Sequence, residues 1–120
     1  MKLLVFILNR VEFLEGVLEA YVEAGIGGAT IMDSEGLGYY LACEVPLFAD
    51  FKDFMKGNRP GNKTILSMVS DDATIPRLKA IIDEVTGGLD KAGTGIMFTV
   101  PVDWASIPAR TCNDQGGGSP

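Results

Sequence analysis

The sequence predicts an α+β fold: a ferredoxin-like βαββαβ sandwich with a long loop between its halves. Three observations predict it. Strand, helix, strand is written twice along 120 residues. The two copies flank a stretch, about 39–62, where hydrophobic periodicity collapses. The length suits one domain, with 47% hydrophobic and 22% charged residues. Two such halves pair as four antiparallel strands with both helices on one face.

The first strand is Leu3-Leu4-Val5-Phe6-Ile7-Leu8. Every position is apolar, so both of its faces should be buried. Asn9 then reads as a helix N-cap, with Glu12 as its capping-box partner. Leu14, Val17, Leu18, Tyr21 and Val22 recur at helical spacing, and Gly25 supplies the stop. Glu15, Glu19 and Glu23 form a solvated face that repels weakly, so tertiary packing must hold this helix. Gly28 to Asp33 reads as the second strand, and Gly36 and Gly38 break it. The central stretch carries Tyr39, Tyr40, Cys43, Phe48, Phe51, Phe54, Met55 and Arg59. Phe51, Phe54 and Met55 suggest a short helix there, and an otherwise structureless loop this long is functional or disordered.

The pattern then restarts. Thr64-Ile65-Leu66-Ser67-Met68-Val69 is a strand, and Asp71 and Asp72 open a helix with acid at its positive end. Ile75, Leu78, Ile81, Ile82 and Val85 form its buried stripe, and Gly87-Gly88 end it. A loop to Gly95 leads into the strand Ile96 to Val100, closed by Pro101. One domain over 1–112 and a flexible tail over 113–120 follow from this reading.

Composition excludes several chemistries. His is absent, which removes His-based acid–base catalysis, Ser-His triads and His-containing metal sites. Two distant cysteines, Cys43 and Cys112, cannot alone make a four-ligand zinc site, and they are read as reduced thiols. A net charge of −6 argues against a nucleic-acid partner. The apolar start is too short for a signal peptide, and no stretch has the length of a membrane span. The expectation is a soluble, cytoplasmic protein with no catalytic residues and no metal.

Two helices can cover only one face of such a sheet. Yet the first strand has no polar residue and the last only Thr99. Each large side chain left wet on the second face forgoes roughly 1.5–3 kcal/mol of burial. The sheet is therefore expected to be covered by further copies of the chain.

Gly28 to Gly38, with its Gly-x-Thr opening and the turn Gly36-Leu37-Gly38, resembles the second strand of the PII signalling proteins (nitrogen regulatory protein P-II). Leu37 stands where that family has an aromatic residue. Asp71-Asp72 at the second helix start and Gly93-Thr94-Gly95-Ile96-Met97-Phe98-Thr99-Val100-Pro101-Val102 continue the resemblance, over roughly residues 1–107. It implies a cytoplasmic homotrimer with adenine nucleotides (ADP, ATP or AMP) as effector ligands between subunits. Its long loop would regulate a partner protein, such as a membrane transporter or an enzyme. Carried over, Thr30 would lie by the adenine, and Gly36, Leu37 and Gly38 would turn at the base of the long loop. Gly93, Thr94 and Gly95 would wrap the nucleotide, since glycines let backbone N–H groups approach phosphates. The chain departs from the family at Ile96, where PII has a phosphate-binding Lys, and at Tyr39-Tyr40, where it has Arg-Gln. Of the two Arg that follow the family's last core strand, only Arg110 has a counterpart. Arg59, Lys63 and Lys91 are the replacement cations, and a diphosphate or monophosphate is favoured over ATP. Three alternatives stay open: a cyclic dinucleotide or bicarbonate as ligand, a small enzyme of ferredoxin-like fold, and a trimeric metal-tolerance protein of the CutA type.

Overall fold

Alternation within the first strand decides which residues meet the helices. In the computed structural model, which describes residues 1–44, 47 and 61–108, β1 (Lys2–Leu8) sends Leu4, Phe6 and Leu8 into the core. A 3-10 turn (Val11–Phe13) and α1 (Leu14–Glu23) follow, then β2 (Thr30–Ser34) and α2 (Leu37–Glu44). The second half is β3 (Asn62–Val69), α3 (Thr74–Thr86) and β4 (Gly95–Pro101). All three strand pairings are antiparallel, in the order β2-β3-β1-β4. The chain is thus a small α+β protein with a four-stranded antiparallel sheet, compatible with the ferredoxin-like arrangement.

The core lies between the sheet and α1 with α3. Leu4, Phe6, Leu8, Ile65 and Val69 face Val17, Ala20, Tyr21, Leu78 and Ile82, all buried. Phe6 sits at the centre, opposite Ile65 on β3 and Met97 on β4. The two helices touch closely at Gly16, where a Cβ would stand 2.8 Å from Val85 Cγ1. Arg77 on α3 also donates to the Glu23 carbonyl at 3.0 Å, satisfying one of the last carbonyls of α1.

Four sequence expectations change here. Val22 is not part of the buried stripe; it is 75% exposed. Asn9 does not cap α1: no side-chain cap bond exists, and Arg10 leads the 3-10 turn instead. The stretch after Gly36 does not begin as a loop, because Leu37–Glu44 is helical. Leu37 and Gly38, expected in a turn, are its first residues, and the Gly36 carbonyl accepts from the Tyr40 N–H at 3.0 Å. The apolar content of Leu37, Leu41 and Ala42 carried no clean helical period, so the helix was hidden behind its glycines. The expected stop of α3 holds: Gly87 adopts φ +91° and donates to the Asp83 carbonyl. The readings of Phe48, Phe51, Phe54, Met55, Arg59, Arg110, Cys112 and the tail fall outside the described residues.

The second face of the sheet is the informative one. Leu3 lies beside Met68 and Val100, Val5 beside Leu66 and Phe98, and Ile7 beside Thr64 and Ile96. Met32 extends the band through Thr64. No described helix covers these residues: Ile96 is 60%, Phe98 45%, Met32 42% and Val100 41% exposed in the single chain.

The buried Tyr21 hydroxyl has no hydrogen-bond partner among the described residues, and burial pushes its pKa up. An unpartnered buried hydroxyl is a desolvation cost with no return. Tyr21→Phe is therefore expected to raise stability by about 1 kcal/mol in urea titration; a loss of that size would mean the hydroxyl has a partner.

Candidate functional site

Register brings the chemistry-bearing residues to one end of the sheet. Leu8 ends β1 with Lys63 on one side and Gly95 on the other. Ser34 ends β2 opposite Asn62 at the start of β3. The chain leaves this edge as Asn9-Arg10 and as Glu35-Gly36, and enters it as Gly93-Thr94.

Main-chain bonds fix the glycine loop there. Gly93 adopts φ +85°, which favours glycine, and faces open space where a side chain would start. The Thr94 N–H donates to the Lys91 carbonyl at 3.3 Å. The Thr94 carbonyl accepts from the N–H groups of Asn9 at 3.0 Å and Arg10 at 3.4 Å. Gly95 must be glycine for space: a Cβ there would strike the Ile7 carbonyl oxygen and stand 3.1 Å from Phe6 Cε1.

Beside this loop runs a neutral polar network across three strand ends. Asn62 Nδ2 donates to Asn9 Oδ1 at 3.1 Å. Asn62 Oδ1 accepts from Ser34 Oγ, and Ser34 Oγ lies 2.7 Å from Thr64 Oγ1. Gly36 is close by, its Cβ position 3.8 Å from Asn62 Nδ2. The described cations of this edge are matched. Lys63 pairs with Asp33, and Arg10 Nε donates to Glu12 Oε2 at 3.2 Å while the guanidinium stacks 5.2 Å from the Phe13 ring.

Of the expected ligand residues, Lys63, Gly36, Gly93, Thr94 and Gly95 share this edge. Leu37 and Gly38 adjoin it as the opening of α2, with Leu37 exposed. Thr30 does not join it: it starts β2 beside Leu66, four residues up the strand from Ser34, and is exposed. Lys91 turns back to the carboxyl end of α3, its Nζ 3.5 Å from where a Gly87 Cβ would be. That is a favourable place for a cation at a helix C-terminus. The Thr94 side chain is fully buried, so its hydroxyl is not a surface contact, and no described residue partners it.

Arg10, Asn9, Asn62 and Ser34 escaped sequence reasoning. Arg10 had a signal, being the only basic residue between Lys2 and Lys52. The asparagines had none, because only register joins positions 9 and 62. Among the described residues no cluster of three or more metal-ligating side chains occurs, and no helix is long and apolar enough to cross a membrane. In comparison with known proteins, the chain matches no family model and no curated sequence.

Proposed function

We propose that this chain is a PII-like signalling protein. It forms a homotrimer, binds adenine nucleotides in the clefts between subunits, and regulates a partner protein through the segment between β2 and β3. It is a binding module, not a catalyst. The observation that carries this reading is the apolar sheet face that no described helix covers, from Leu3, Val5 and Ile7 across to Ile96, Phe98 and Val100. A face of that kind is rare on a lone soluble chain. Closed symmetry with sister copies would cover it and create seams beside the sheet end. The Gly93–Gly95 loop, the Asn9–Asn62 pair and the start of α2 meet at that end, so a ligand seated there would touch the root of the central segment. Ligand contacts that differ between two states of this segment would supply the signal.

Native mass spectrometry with ADP titration tests the reading. Three subunits and one saturable nucleotide per seam are expected. A single chain at micromolar concentration, or no heat with ADP, ATP and AMP in calorimetry, would remove it. Gly93→Asp places a negative charge in the open space by the loop, at a backbone conformation that Asp tolerates better than most residues. ADP affinity should fall at least about tenfold with the oligomer intact; unchanged affinity would put the ligand elsewhere.

A further inference from the structure

The electrostatics of this edge say what sort of ligand suits it, and this deepening rests on the nucleotide reading above. Among the described residues, both cations flanking the network already face carboxylates, Lys63 on Asp33 and Arg10 on Glu12. A polyphosphate would have to pull them away or sit beside those carboxylates, and gains little from charges already matched. What the edge does offer freely is uncharged hydrogen-bonding capacity. Asn9 is exposed, and its Oδ1 accepts only from Asn62 among the described residues, leaving a second lone pair. Among the described residues both Nδ2 protons remain available as well. A carboxamide with one donor and one acceptor side by side matches the N7 and N6 edge of adenine.

We infer that Asn9 reads the adenine edge, and that this site takes adenosine or its monophosphate in preference to polyphosphates. Asn62 is the positioning residue. Ser34 holds Asn62 Oδ1, which turns Asn62 Nδ2 onto Asn9 Oδ1 and fixes which way the Asn9 amide points. An amide so held accepts from the adenine amino group and donates to N7. It cannot turn to suit inosine, whose O6 is an acceptor. Inosine sets an acceptor against the Asn9 acceptor and forfeits one of the two hydrogen bonds that adenine makes.

Calorimetry with adenosine, AMP, ADP, ATP and inosine tests this on the unmodified protein and on Asn62→Leu and Asn9→Asp. In the unmodified protein, adenosine and AMP should bind at least as tightly as ATP, with little dependence on salt. Adenosine should exceed inosine by about tenfold or more. Asn62→Leu frees the Asn9 amide to flip, and the preference for adenosine over inosine should collapse towards unity. Asn9→Asp removes the donor and should weaken adenosine by about tenfold. ATP binding ten times tighter than adenosine would overturn the inference and leave the nucleotide reading standing. Inosine selectivity that survives in Asn62→Leu would overturn the assignment of Asn9 and Asn62. Heat from none of the five ligands would overturn both readings together.

Discussion

Phe98→Glu is expected to turn the proposed homotrimer into folded single chains. Phe98 lies on β4 opposite Val5, on the sheet face that no described helix covers, and it is not part of the core cluster. In one isolated chain the new carboxylate would reach water at little cost. Between subunits it would be buried without a partner, adding a desolvation cost of several kcal/mol to the lost burial of the ring. Each seam would carry the same penalty, so the loss is multiplied by symmetry. Sedimentation should report a single chain with unchanged far-ultraviolet circular dichroism, and ADP binding should vanish with the seams. An oligomer that persists in this variant would show that the apolar face is not the contact surface.

Phe6→Ala should have the largest effect on the single chain. Phe6 is fully buried at the centre of the core, between Ile65 and Met97 in the sheet register. Truncation removes its transfer free energy and leaves a cavity that regular strands on both sides cannot close. The expected loss is about 3–5 kcal/mol, a large part of the roughly 5–15 kcal/mol that stabilises a domain. It should read as a lower urea midpoint with an unchanged slope. A loss below about 1 kcal/mol would mean that the core collapses around the gap, or that the register is different. Gly95 would feel the same change, since the Phe6 ring is one of the walls that confine it.

The elements legible in the sequence were those whose pattern is enforced by burial. Leu78 and Ile82 had to share one helix face, and the unbroken apolar run of β1 marked a strand, but only the structure shows that Leu4, Phe6 and Leu8 take the helix side. The second apolar face was legible for the same reason, because Leu3, Val5 and Ile7 have no polar neighbours to signal a wet side. Asn9 shows where local reading fails. Its spacing from Glu12 fits a capping box, but a partner 53 residues away takes its side chain instead. Leu37 shows the opposite failure, where glycines on either side hid a helix that starts at once. Of the candidate site, the glycine loop was legible through its resemblance to a known pattern. The amide network was not, since it exists only through strand register.

The double acceptance at the Thr94 carbonyl has one more consequence. By drawing in the N–H groups of both Asn9 and Arg10, it rivets the entrance of β4 to the exit of β1. Those two segments are far apart in sequence, and these bonds hold them side by side. A shift of the glycine loop would have to carry the lead-in to α1 with it or give up these two main-chain bonds.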